Sequence, residues 1–538
     1  MAAPSSIITL ELEPAADDGN AIPKHQDRAR PAAPSTIVTL ESEAVVDDPN
    51  AIWQKCLDRA RLLVSAPVLS LTLVFFLVLG VGFAVLAEDT DGWIIVALVG
   101  GLVLFVICFD NLKLWMIFYS LVFIAPHMKL GDWGGGGEEK LFGVQGYEPL
   151  IAILLCLWIP RIMARRRLEL PRLLKALLVA LGLIGLNAIR IAPDRMMAIK
   201  EAGRLFFEPL VLFVVITSVP WRRSELKAAA LVFVFSAALV ASIGIVGYGM
   251  GHGGGGEPAA GVAGAKGVHT TRSVRLESYW EGTNNLAAFL VAAVCVSVGS
   301  VFSSRTIGGV LLSLGAIPIE LLSIVLTFTR GAWMACAAAL FALSLQLRRI
   351  GWLVLGLVLV VGVIGVAPPE MLERVASIAS FQTERSSANR IHMWHYAVPI
   401  LLDRPLTGYG FYGFHVLFSS EPGITSVHAH NFMLDYALAI GIPGLLLVLT
   451  LISFVLMGAL RTVSRRRQVS SDVSLLAGLA VGCIGMLAAG MVDGSISVWP
   501  ILAHSFWFLL ALTYCLKRSI DGEFTYTVSA DERSTATA

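Results

Sequence analysis

Three observations make this chain an all-α polytopic transmembrane helix bundle, with about fourteen spans and one large helical periplasmic loop. First, 56% of its 538 residues are hydrophobic and only 15% charged, with a mean hydropathy of +0.76. A soluble domain carries roughly 25% charged residues, and a globule in water has no place for so much apolar surface. Second, the apolar residues come in long unbroken runs instead of the strict alternation of a β-barrel. Third, the basic residues cluster between these runs. The same figures exclude a soluble enzyme, a disordered chain and a nucleic-acid binder, and a net charge of +1 implies no acidic or basic partner.

Residues 1–65 are polar and contain a tandem repeat. APSSIITLELEPAADDGNAI at 3–22 recurs as APSTIVTLESEAVVDDPNAI at 33–52, each copy followed by DRAR. Two copies are too few for a solenoid, and no basic n-region with an apolar h-region opens the chain as a signal peptide would. A disordered cytosolic tail is expected here, and a second short one at 521–538. Between them, residues 66–520 form the membrane domain. A run long enough to cross a ~30 Å hydrocarbon core is expected at 66–87, 93–109, 112–125, 149–163, 173–189, 205–219 and 227–250. Further runs follow at 286–302, 307–328, 332–347, 351–367, 432–460, 473–492 and 497–516.

Threading these spans from a cytoplasmic N-terminus puts 26 of the 40 Lys and Arg residues on the inner side. The clusters PRIMARRR, PWRRSELK, LRR and RTVSRRR are among them. This agrees with the positive-inside rule and places both termini in the cytoplasm. Three long loops then fall outside, at 126–148, 251–285 and 368–431. Loops of that length are usually functional. Six of the seven cysteines lie in apolar runs and Cys56 in the tail, so no disulfide framework is expected.

Five of the ten histidines sit in the last long loop: His392, His395, His415, His428 and His430. No cysteine accompanies them in a zinc-like spacing, and no metal or other cofactor is expected. His430 stands at the outer mouth of a span in HAHNFMLDYALAIGIPG, where a neutral imidazole suits proton abstraction near neutral pH. His428 is the second candidate, and Asn431 has the side chain to cap the following helix. Asp435 lies five residues beyond His430, so at ~100° per residue it points off that face, and the group that orients His430 should come from another loop. Arg330 in FTRGAW, Arg275 and Arg390 lie at the outer membrane edge, where guanidinium groups suit bidentate binding of a phosphate anion. Glu320 falls in the middle of a span, where a carboxyl is either functional or protonated and bonded to a neighbouring helix. Gly478 and Gly482 form a GxxxG face for helix packing.

Four ordered segments spanning about 275–447 resemble the O-antigen ligase / O-antigen polymerase family of bacterial envelope polysaccharide glycosyltransferases. They are RLESYWEGTNNLAAFL, LTFTRGAWMA, NRIHMWHYAVPILLDRPLTGYGFYGF and HAHNFMLDYALAIGIPGLLL. Two departures stand out: Thr283, Asn284 and Asn285 where the family often has Asn-Pro-Asn, and Ala439 where it often has an acidic residue. The resemblance implies metal-independent, inverting transfer of a glycan from an undecaprenyl-diphosphate carrier to an acceptor hydroxyl, at the outer face of the bacterial inner membrane. His430 would be the base, and Arg275, Arg330 and Arg390 would hold the diphosphate. The duplicated tail leans towards exopolysaccharide or O-antigen polymerisation, with a chain-length regulator as a partner. Ligation to lipid A–core or protein is the alternative, and an anion or small-solute transporter the alternative of another class. A transporter should place its charges near mid-membrane on broken helices, whereas here most lie at the outer edge.

Overall fold

The computed structural model describes residues 112–124, 148–165, 170–249, 254–255, 274–276, 282–348, 385–419, 428–466, 470–492 and 496–522. All belong to one compact unit, Val74–Ala538. The tandem repeat and the spans expected at 66–87, 93–109 and 351–367 lie outside these residues.

The first elements are α1 (Leu112–Phe118), which runs into a 3-10 turn (Tyr119–Ile124), α2 (Glu148–Arg165), α3 (Arg172–Ile191) and α4 (Arg195–Ala202). A π-helical turn (Gly203–Phe207) joins α4 to α5 (Glu208–Thr217), and α6 (Arg223–Gly249) follows. A two-residue antiparallel pair, β1 (Gly254–Gly255) with β2 (Val274–Arg275), is the only strand pairing among the described residues. Then come α7 (Thr283–Ser303), α8 (Ile307–Leu326), α9 (Arg330–Leu347), α10 (Arg385–Asp403) and α11 (Gly413–Ser419). The chain closes with α12 (Phe432–Arg465), α13 (Ser471–Gly490) and α14 (Pro500–Ile520).

Among the described residues, eight helices, α3, α6, α7, α8, α9, α12, α13 and α14, are long and apolar enough to cross a membrane. The run at 112–125 falls short of a regular span. Its seven α-helical residues at ~1.5 Å and six 3-10 residues at ~2.0 Å reach about 22 Å.

Helix ends are set by ordinary capping chemistry. Thr306, Ser470 and Asp194 accept from the first-turn amides of Gly309, Val473 and Met197, satisfying donors that a helix start leaves open. Helices α7, α13 and α14 are buried over more than four-fifths of their spanning stretches, so they form the centre, while α3 and α8 turn most of their surface outward. Small residues let the centre close. A Cβ on Gly478 would meet the Cys295 carbonyl at 2.5 Å, and one on Gly482 the Ala292 carbonyl at 2.9 Å, so the GxxxG face packs directly on α7. Phe123, Phe233, Phe289 and Phe508 fill the adjoining space edge to face or stacked.

The two ends of the bundle differ in chemistry. At one end Asp472 bonds Lys227 at 2.6 Å and Arg223 at 3.2 Å, Lys113 meets Glu225 at 2.9 Å, and Lys517 meets Asp521 at 3.1 Å. Arg466 donates to the Ile520 carbonyl at the same end. The starts of α7, α9, α12 and α14 gather at the other end, which holds the residues singled out above.

Candidate functional site at the second end of the bundle

The site is organised by a break in α12. Gly441 adopts φ 74°, ψ 169°, and Pro443 follows with no N–H to give. The carbonyls of Leu438 and Ala439 and the amide of Ile442 therefore lose their helical partners. The segment 405–410 replaces them: Tyr409 N–H donates to Leu438 O at 2.7 Å and Gly410 N–H to Ala439 O at 3.1 Å. In return, Ile442 N–H donates to Pro405 O at 2.8 Å. Gly408, at φ 67°, is required by the closeness, since a Cβ there would lie 2.5 Å from the Leu438 carbonyl. The Gly-Tyr-Gly loop and the Gly-x-Pro-Gly run are thus two halves of one backbone junction.

The histidines precede α12. Asn431 caps it as expected, accepting from Met433 N–H at 3.0 Å and Leu434 N–H at 3.3 Å. His430 takes a left-handed backbone, φ 51°, which turns the chain back over the first helical turn. Its ring lies 4.0 Å from that of His428, and its N–H donates to His428 Nδ1 at 3.2 Å. That bond commits Nδ1 of His428 as an acceptor, so its neutral form carries the proton on Nε2. Asp435, which helical rotation turns off the face of His430, holds the loop by the loop's backbone. Asp435 Oδ1 accepts from the buried Ala429 N–H at 2.8 Å and Oδ2 from Ser497 Oγ at 3.2 Å, pinning the backbone between the two histidines. Opposite, Trp394 Nε1 of α10 donates to Ala429 O at 2.8 Å.

The arginines are arranged around α10. Arg330, the first residue of α9, is 8% exposed, and its Nη2 lies 3.5 Å from Ser387 Oγ. Ser387 and Trp394 are seven residues apart on α10, about 10 Å along the axis, so one helix holds both the Arg330 guanidinium and the histidine loop. Arg390, half-buried, sits between these two contacts. Thr329 Oγ1 donates to Asn284 Oδ1 at 2.9 Å, joining the second sequence segment to the first. The backbone of Arg275 is in β2, and the next amide, Leu276 N–H, donates to Leu326 O at 3.0 Å, four residues before Arg330. Glu320 stands apart: fully buried in α8, it accepts from Ser297 Oγ of α7 at 3.1 Å. The bond to a neighbouring helix that one of the two readings expects is thus present.

A cleft of about 270 Å³ opens beside the histidine loop, lined by Lys200, Glu201, Arg204, Tyr412, His428 and Asp435 among others. Three of these were missed from sequence. Lys200 and Glu201 end α4, and Arg204 occupies the π-helical turn, where its Nε bonds Glu148 at 2.7 Å. π-turns often mark functional positions, and KEAGR before an apolar run was the available signal. Burial pushes the Glu201 carboxyl up to about 7; the Asp435 carboxylate adds to this and the Tyr412 backbone N–H opposes it. His428 lines the cleft, and the His430 ring leans against that of His428 at an interplanar angle of 60°.

Residues 315–449 match the family profile described as O-antigen ligase. No curated protein matches the chain. The matched stretch runs from within α8 to beyond the break in α12 and so contains Arg330, Arg390, the histidine loop and both halves of the backbone junction. The first segment, 275–290, lies before it. With helices long and apolar enough to cross a membrane and a stretch at 315–449 similar to the O-antigen ligase family, the chain is a multi-pass membrane protein that carries an O-antigen ligase-like domain.

Proposed function

We propose that this membrane enzyme transfers a glycan from an undecaprenyl-diphosphate carrier to an acceptor hydroxyl on the periplasmic side of the inner membrane, in exopolysaccharide or O-antigen polymerisation. The observation that carries the proposal is the convergence of four separated segments. Asn284, Arg330, Arg390 and the His428–Asn431 loop gather at the end of the bundle opposite the basic clusters. By the positive-inside rule the basic end is cytoplasmic, with both termini, and the site is periplasmic.

The chemistry follows from the residue types. His430 takes the proton of the acceptor hydroxyl as its oxygen attacks the anomeric carbon from the face opposite the carrier, which inverts that centre. The bond to the diphosphate breaks, and undecaprenyl diphosphate leaves as an anion whose charge the guanidinium groups stabilise. Arg330 is suited to this because it is already desolvated and held. Lys200 and Arg204 add cations at the cleft. That Nδ1 of His428 already accepts from the His430 amide supports assigning the base role to His430.

The test is transfer by purified protein in detergent from a lipid-linked donor, offered either a second lipid-linked unit or lipid A–core as acceptor. Elongated lipid-linked product supports polymerisation. Product on lipid A–core alone replaces it with ligation, and transport of free anion with no glycan product refutes both.

A further inference from the structure

At the end of the bundle away from the histidines, α12 and α14 enclose a groove of about 470 Å³. Its wall carries Leu446, Phe454 and Met457, which are 56%, 38% and 51% exposed, so an apolar strip faces outward. Arg461 and Lys517 stand at its mouth, and Arg518 lies 5.7 Å over the ring of the lining residue Tyr514. Asp521 bonds Lys517 at 3.1 Å, so among the described residues the mouth gathers three cations and one carboxylate. From Leu446 to Arg461 the groove follows α12 for about 22 Å, more than one leaflet's ~15 Å share of the hydrocarbon core. The floor is open because position 458 is glycine: a Cβ there would have Lys517 Cε, at 3.9 Å, as its nearest neighbour.

The geometry points to a binding site for an anionic phospholipid of the adjacent leaflet, with its phosphate between Arg461 and Lys517 and one acyl chain along Phe454. Charge complementarity selects this occupant. A zwitterionic lipid brings a cation of its own to a mouth that already holds three, and a basic pocket between membrane helices suits an anionic head group. The site is separate from the glycan-transfer reading and stands or falls without it.

The test is native mass spectrometry of the full chain in detergent, titrated with dioleoyl phosphatidylglycerol, dioleoyl phosphatidylcholine or inorganic phosphate. Phosphatidylglycerol should be retained in preference to phosphatidylcholine, and phosphate alone should bind weakly. The double variant Arg461→Gln, Lys517→Gln should lose that preference by on the order of tenfold. Gly458→Leu, which keeps both charges and fills the groove, should lose it too. Lys517→Arg, which keeps charge and the partner Asp521, should retain it and shows that position 517 tolerates change. Equal retention of the two lipids by the unaltered chain overturns the proposal. So does undiminished phosphatidylglycerol binding in Gly458→Leu, which would reduce the effect to surface attraction, or phosphate binding as tight as lipid.

Discussion

Replacing Asp435 with alanine should slow glycan transfer by roughly 10- to 100-fold while leaving donor binding intact. The Ala429 N–H is buried and donates to Asp435 Oδ1 at 2.8 Å. Removing the acceptor strands that amide at a cost of about 1–3 kcal/mol, enough to displace the turn that carries His430. A catalytic group moved by about 1 Å can cost on the order of 100-fold in rate. Asp435→Asn is the informative partner. Its amide oxygen can still accept from Ala429 and its NH2 can donate to Ser497 Oγ, so only the charge assistance is lost and the rate should fall less than about tenfold. The same variant removes the negative charge that helps raise the Glu201 pKa, so any acidic limb due to Glu201 should move to lower pH. Purified variants are assayed for donor binding and for product across pH 5–9. An Asn variant as impaired as the Ala variant would mean that charge, not positioning, is what Asp435 supplies. A fully active Ala variant would refute the clamp altogether.

His430→Ala should reduce transfer by roughly 10²–10⁴-fold with donor binding retained, and His428→Ala by less; the reverse order, measured in the same assay, would move the base to His428. Arg330→Lys keeps the charge but loses the planar fork that meets Ser387 and a phosphate, so product formation should fall severely at normal expression. Glu201 binds a proton in the folded chain up to about 7, well above its ordinary 4.5, so this contribution to stability is complete below about 4.5 and disappears as pH rises through 7. Glu201→Gln should flatten that fall in melting temperature between pH 5 and 8. Gly441→Ala forces a left-handed backbone on a Cβ that meets the Leu406 carbonyl, and should lower the melting temperature measurably.

Much of this was legible in the sequence because membranes impose simple rules. The runs expected inside the described residues coincide with helices to within a few residues at their ends, and the Asn431 cap follows from residue type alone. The four segments announced themselves as polar strings between apolar runs. What stayed hidden depends on backbone departures. Lys200, Glu201 and Arg204 read as an ordinary connector, because the π-turn that joins α4 to α5 has no strong sequence signature. The hold of Asp435 on the loop stayed hidden because helical rotation compares residues on one helix, whereas its partner, Ala429, precedes the helix. The chain reaches it only through the left-handed turn at His430. The run at 112–125 looked like a span because composition does not distinguish an α-helix from one that tightens into a 3-10 turn.

The junction at Gly441 also bears on how this chain tolerates change. Residues 432–440 are fastened at their far end to 405–410, not to the rest of α12, so they behave mechanically as an extension of the outer loop. A single residue inserted between Pro405 and Gly410 would shift every bond in the junction by one place and leave Leu438 O or Ile442 N–H without a partner. A buried backbone group left without its bond costs about 1–3 kcal/mol. Loop length here is therefore as constrained as a helix in the core, and variation in this enzyme should concentrate elsewhere in its outer segments.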